Sequence, residues 1–513
     1  MKTVLRTTFF LMLFFLTRTI GAQNSQFAPT GAIWYYETTS VVSRVARDLP
    51  EQLWTDIVTE QPDGYVVDEN GDVHIYTAEA MAWVSVLSNG LHGQEVDDFE
   101  GRTISLENDV AMSRATWIPI SGKNDVPSFK GTFKGNGHTI DGVQLTWCDG
   151  FDKLGFFGYL FEATLSNVVI RNGYFYYFDS YYIPVGFLAT QVEKSLIDRC
   201  FVECEMHGGY NVPFVYTNCG STITNSMAHC SVLENLNGNN SGAFVAENRI
   251  YNGDETLPVI QNCAAIIEKI EFTYSELYGF VGEYNHGLIE NCYVFIGEMM
   301  NYPGCSGNGG HRNGITKDNM GEVHNCYYNR IRNYDPSFTG YYMQLDDSPG
   351  GGGGFYNTSP FVEEGRGHWK LVNSIGFELE NGTVTTDDLL EALNFKVELL
   401  SNPELLDWCD VAIGFDNQQL PVFCGINVAE TDEHQTINNP IVLSPNPSTG
   451  VFTVTGENLK RIEVFDILGQ KVTSLQVNGD QTAIDLSGHP AGVYLINVTD
   501  KEGKLCVKKV VKH

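Results

Sequence analysis

At 513 residues the chain has room for two to four ordinary domains, or for one long solenoid with additions. Glycine (52 residues) and aromatic side chains (12%) are abundant and charged residues reach only 18%, a composition that favours β structure. The formal net charge of −32 excludes nucleic acid and anionic lipid as partners held by general electrostatics, and it disfavours acidic polysaccharides.

Residues 1–22 read as a secretory leader: Lys2 and Arg6 precede the apolar run Phe9 to Leu16, and Gly21-Ala22 offers small residues for cleavage. Removing that leader, with Lys2, Arg6 and Arg18 and no acid, leaves 28 basic against 63 acidic residues. No later stretch approaches the roughly 18 apolar residues of a spanning helix, so no transmembrane segment is expected in the mature chain. Asp68-Glu69-Asn70-Gly71-Asp72 reads as a β-turn, because a calcium loop would need a bidentate Glu that the spacing lacks. Thr77 is placed to cap a helix in TAEAMAWVSVLSNG, where Ala80, Trp83, Val84 and Leu87 share a face and Asn89-Gly90 closes the end. Such a helix would plug the open end of a coil, whose bare strand edges invite aggregation.

From Ser128 onward one phrase recurs. A glycine-aromatic pair such as Gly155-Phe156 leads to an Asn inside an apolar run, as in Leu165, Asn167 and Val168. The later copies end on Ile197-x-Arg199-Cys200, Ile223-x-Asn225-Ser226, Ile260-x-Asn262-Cys263, Ile289-x-Asn291-Cys292 and Val323-x-Asn325-Cys326. Spacings between the Asn positions (Arg199 standing in once) are 32, 26, 37, 29 and 34 residues, a degenerate repeat in which loops vary and strands do not. Stacked parallel strands in a right-handed β-helix suit this pattern. Ile and Cys three apart would face opposite ways on a straight strand. Asn, tolerant of the left-handed region, is therefore expected to bend the chain so that both neighbours point inward. Stacking would align Asn225, Asn262, Asn291 and Asn325 as an amide ladder broken by Arg199.

The helix, the strand pair FEGRTISLENDV, Trp117-x-Pro119-Ile120, then FKGTFKGNGHTIDGV and Gly-Phe-Phe-Gly resemble the secreted β-helix proteins of Bacteroidetes that carry glycine-rich GLUG repeats. The resemblance covers about residues 70–425. It implies a surface-exposed, adhesin-like β-helix and supplies no catalytic residues.

Beyond the repeats, DDSPGGGGGFYNTS (346–359) reads as a glycine-rich break that hinges or crosses a face, and Thr385 to Asp388 precede a short capped helix at Leu389, Leu390 and Leu393. Residues 430–440 are a polar linker. In 441–513, PNPSTG, EVFDILGQKV, IDLSGHPAGVY and the terminal lysines resemble the C-terminal sorting domain of type IX secretion. That resemblance implies a seven-stranded, immunoglobulin-like β-sandwich, engagement of the type IX machinery as a partner, and export across the outer membrane to the surface or medium. The whole is expected to be all-β: leader 1–22, a β-helix with its capping helix over 23–429, linker 430–440 and sorting domain 441–513.

Twelve cysteines in an exported chain raise the question of disulfides. Cys263, Cys292 and Cys326 share one repeat position and are expected to stack as buried hydrophobes. Cys204 and Cys230 lie four residues past that position in neighbouring repeats and are one candidate pair; Cys409 and Cys424 are the other.

Scaffolds of this type also host polysaccharide lyases and glycoside hydrolases, an alternative function. Lys194, Arg199 and His207 are the lyase candidates by residue type, but no acidic cluster beside them suggests a cation. Acids stand paired only as sequence neighbours (Asp346-Asp347, Glu363-Glu364, Asp387-Asp388), which seldom face one bond. Cys204 and His207 make only a weak metal signal, and no cofactor or metal is expected. Aromatic side chains lead instead: Tyr174, Tyr176, Tyr177, Tyr181 and Tyr182 crowd one repeat, and alternation turns some outward. The sequence therefore points to a binding protein with a glycan or protein ligand, more than to an enzyme.

Overall fold

The computed structural model describes residues 49–424 and 442–512, apart from residues 178–182, 236–241, 273–278, 302–313, 330–331, 334–342, 345–350, 364–368, 380–381, 414–417, 445–447, 467–470 and 501–504 and the single positions 51, 209, 254, 357 and 491. The leader, the linker 430–440, Tyr181 and Tyr182 thus lie outside the described residues. The chain is mostly β-sheet with no closed barrel, and it divides into two compact units.

In the larger unit each repeat adds one strand to each of three parallel stacks. The first stack runs Thr132–Lys134, Thr164–Ser166, Leu196–Asp198, Thr222–Thr224, Val259–Gln261 and Leu288–Glu290, each in register with the next. A second holds Val169–Tyr176, Phe201–His207, Met227–Asn235, Ala264–Phe272 and Tyr293–Asn301. The third consists of β1 (Phe157–Phe161), β2 (Ala189–Glu193), β3 (Val215–Cys219), β4 (Val245–Arg249) and β5 (Val281–Asn285), paired in that order. Strand β6 (Asp318–His324) pairs with β5 and with Leu288–Glu290, joining the first and third stacks. The glycine run expected as a break or hinge is partly strand: β7 (Gly351–Tyr356) pairs in parallel with β6. Backbone ladder bonds override glycine's low strand propensity there.

The Asn positions behave as the left-handed region requires. Asn167, Arg199, Asn225, Asn262, Asn291 and Asn325 have φ between 46° and 55°. Their apolar neighbours Ile223, Ile260, Ile289, Cys263, Cys292 and Cys326 are fully buried in one continuous core. Nδ2 of Asn262 donates to Oδ1 of Asn225, and Nδ2 of Asn291 to Oδ1 of Asn262, both at 2.9 Å. Arg199 interrupts the ladder and instead reaches Asp198 and Glu404.

At the start of the unit, the helix Ala78–Ser88 is capped by Thr77, whose Oγ1 accepts from Ala80 N. It is buried on nearly every side, so the single stripe read from the sequence understates its contact with the core. Asn89 ties it down: Nδ2 donates to Pro119 O at 2.8 Å and Oδ1 accepts from Gly122 N and Lys123 N. The Asp68 turn forms as expected, its Oδ1 accepting from Asn70 N and Asp72 N.

In the smaller unit, Trp408–Ile413 and Gln418–Phe423 form an antiparallel hairpin closed by the Cys409–Cys424 disulfide. Residues 442–512 form an antiparallel sheet of five strands among the described residues, rather than seven. The difference lies in two long strands, Val451–Asp466 and Lys471–Asp485, whose pairing shifts register near Thr455 to Leu459, so that each spans what shorter strands would divide. Phe452, Ile462, Ile484, Ile496 and Val498 form its core.

Candidate ligand groove

Alternation along β1 to β6 turns every second side chain outward, and parallel register converts those positions into two rows. One row runs Tyr159, Gln191, Thr217, Glu247, Tyr284, Asp318. The other runs Phe161, Glu193, Cys219 and Arg249, continued by His286 and Met320, each one position past the paired Asn285 and Asn319. Between them, pointing inward, lies a second amide ladder. Nδ2 of Asn218 donates to Asn248 Oδ1 (2.8 Å), Asn248 to Asn285 (2.7 Å) and Asn285 to Asn319 (2.8 Å).

A wall rises along one side of these rows. Between β4 and Val259–Gln261 the chain inserts residues 250–258, where the preceding repeat needs only Gly220 and Ser221 between its strands. The insertion is folded back by Glu255 N donating to Tyr251 O (3.0 Å) and Tyr251 N to Thr256 O (3.1 Å), and the Cys219 thiol donates to Ile250 O. Gly220 makes room for it: with φ at +60°, an added Cβ would sit 2.7 Å from Tyr251 Cβ. Rows and wall enclose a groove of about 1080 Å³. Leu257 (57% exposed) and Met320 (68%) offer apolar surface at its edge.

Glu193, Glu247 and Arg249 are engaged with neighbouring side chains. Glu193 accepts from Tyr159 OH at 2.7 Å on Oε2 and from Gln191 Nε2 at 2.6 Å on Oε1. Glu247 accepts from Arg249 Nη2 at 2.7 Å and from Thr217 Oγ1 at 3.3 Å. Burial holds the Glu247 carboxyl above its usual range, and Arg249 pulls the other way. The Arg249 guanidinium lies 5.7 Å over the Tyr284 ring, which stacks on His286. Lys194 sits 5.3 Å over Tyr251 and pairs with Glu162. Burial, then Glu193, pushes the Cys219 thiol up to about 11.

The residues singled out from sequence fall elsewhere. Tyr174 is a correction: it is 2% exposed, its ring covered beside His207 at 5.7 Å, although alternation does send Phe175 to the core and Tyr174 to the other side. Tyr176 and Tyr177 are half-buried, Tyr177 beside Trp147. Lys194 and Arg199 flank Leu196–Asp198, whereas His207 ends a strand of a different stack, so the lyase candidates do not converge. His207 is held between carboxylates, Nδ1 2.8 Å from Glu234 and Nε2 2.7 Å from Glu205. Burial acts to lower its pKa, but those two carboxylates prevail and raise it to about 9.

Cys409 and Cys424 are bonded, whereas Cys204 and Cys230 stand opposite each other in register as free thiols. The two thiols interact side by side, and the Cys230 thiol also donates to Val232 O at 3.1 Å. Among the described residues no group of three or more His, Cys, Asp or Glu is arranged to hold a metal ion, and no helix is long and apolar enough to cross a membrane.

The groove could have been found by aligning the repeat phrases GFLATQVE, PFVYTNC, GAFVAENR and GFVGEYN and reading their outward positions as columns. No curated protein matches the chain. Among solved structures, a Bacteroides ovatus protein provisionally described as an immunoglobulin A1 protease is similar at 17% identity and a TM-score of 0.37, over 71% of this chain and 94% of that one. PorZ, an essential surface component of the type IX secretion system of Porphyromonas gingivalis, is similar at 13% identity and a TM-score of 0.14, over 30% of this chain and 22% of that one. Residues 443–513 match the secretion system C-terminal sorting domain. The protein is therefore secreted through the type IX system to the cell surface or extracellular space.

Proposed function

We propose that this chain is an adhesin-like binding protein of the GLUG-repeat type, a right-handed parallel β-helix that holds a glycan or protein ligand in the groove over β2 to β6. Residues 1–22 are its leader, 23–429 the helix with its cap, 430–440 a linker, and 441–513 the domain that engages the type IX machinery. The parallel register of three stacks supports the architecture.

The groove carries the functional reading: two in-register rows of polar and aromatic side chains, floored by a rigid amide ladder and walled by an insertion that the strands do not need. The binding reading is supported by the engagement of Glu193 with Tyr159 and Gln191 and of Glu247 with Arg249 and Thr217.

Thr217 sits mid-groove, half-buried, and Thr217→Trp would plug it. Cells displaying the plugged chain at wild-type surface level are expected to adhere at least about tenfold less to an immobilised glycan and glycoprotein panel. Equal adhesion by both chains overturns the reading, as does release of reducing sugar ends by the wild type that the plug abolishes.

A further inference from the structure

The groove's chemistry narrows its ligand. Two of its three carboxylates are already engaged: Glu247 is paired with Arg249, and Glu193 accepts from a phenol and an amide. A lysine-rich peptide would have to displace those partners before gaining its own ion pairs. An anionic chain would meet Glu193, Glu247 and Glu255 on a protein of formal charge −32. What the groove does offer is a dense mixture of acceptors and donors beside flat or apolar faces, with Gln191, Thr217, Arg249 and His286 close to Tyr251, Tyr284, Leu257 and Met320. Hydroxyls that both donate and accept, on rings with apolar faces, match that mixture.

The direction of the ligand follows from the rows. Side chains of one row repeat at the strand spacing of about 4.8 Å, so five strands give a track of roughly 19 Å. That length accommodates several pyranose rings end to end, each meeting nearly the same pair of row positions.

We propose that the groove binds an uncharged, hydroxyl-rich glycan chain laid along the stack across β2 to β6, with Tyr284 and Tyr251 as aromatic contacts and Arg249 and Gln191 as hydroxyl partners. This rests on the reading of the groove as a binding site.

Calorimetric titration of the full secreted chain with neutral gluco- and manno-oligosaccharides of increasing length tests it, beside an oligogalacturonate and a lysine-rich peptide. Affinity for a neutral series should rise with length and level off once the track is filled. Tyr284→Ala should weaken it at least about tenfold, and Leu257→Ser, at an exposed edge, should weaken it less, both with unchanged thermal unfolding. If the oligogalacturonate or the peptide binds instead and Tyr284→Ala abolishes that binding, the ligand class is wrong and the groove stands. If a neutral oligosaccharide binds the wild type and both variants equally, the groove itself is wrong. Absence of binding to every neutral oligosaccharide also overturns the proposal.

Discussion

Asn248 donates its Nδ2 to Oδ1 of Asn285 at 2.7 Å, one row beneath the groove and fully sheltered from solvent. Because Asn218 donates to Asn248 in the same sense, the amides form one directed chain that fixes the spacing of the outward rows above it.

Replacing Asn248 with Leu keeps the branched shape and removes both ladder bonds. Asn218 retains Ser221 O as an acceptor and Asn285 retains Gly287 N as a donor, so neither neighbour is wholly stranded. The expected loss is about 2 kcal/mol in urea unfolding. An unchanged midpoint would show that the ladder contributes nothing to stability.

The left-handed corner is separable from the amide it carries. Asn262 has a φ of 55° and both donates and accepts in its ladder. Asn262→Gly loses the amide and keeps the backbone at ease, whereas Asn262→Ala loses the amide and strains the corner by a further 1 kcal/mol or so. Equal stability of the two variants in thermal melts would contradict the corner's role.

His207 supplies a signed dependence on pH. Glu205, Glu234 and the rings of Tyr174 and Tyr176 surround it, and its pKa stands at about 9, above the ordinary 6.5. A raised histidine pKa gives stability that is complete below about pH 6.5 and is lost as pH rises through about 9. The loss should approach about 3 kcal/mol. Denaturant unfolding from pH 6 to 10 should show this slope in the wild type beyond that of His207→Gln; parallel curves would remove the effect.

Thiol reactivity should divide the cysteines by burial. Burial first, and neighbouring thiols after it, raise Cys292 and Cys326 far above the ordinary range, and burial lifts Cys200 to about 12. Native alkylation at pH 8 should leave Cys200, Cys263, Cys292 and Cys326 unmodified, with Cys148 and Cys219, both half-exposed, the first of the described thiols to react. Peptide mapping that finds Cys292 labelled before the chain unfolds would refute the buried column.

Much of the scaffold was legible because it is governed by local rules repeated many times. Ile-x-Asn-Cys marks a backbone corner that few other residues tolerate, and Thr77 with Asn89-Gly90 marks both ends of a helix. The groove was less legible because outward positions such as Gln191, Thr217 and Tyr284 are not constrained to one residue type, so their columns appear only once register is known. Tyr174 misled because alternation tells which side a ring takes and not what covers it. Cys204 and Cys230 were placed opposite each other by the repeat alone, which gives their register and not whether the two thiols are oxidised.

The stretch 250–258 lies within the longest of the five repeat spacings, 37 residues, and it supplies Tyr251, Glu255 and Leu257. Recognition and folding are thus written in different lengths of chain. Lengthening, shortening or exchanging that one insertion would re-cut the binding surface while every strand keeps its neighbour. A lineage could diversify what it sticks to by indels at a single corner, with no cost to the stacking that holds it together.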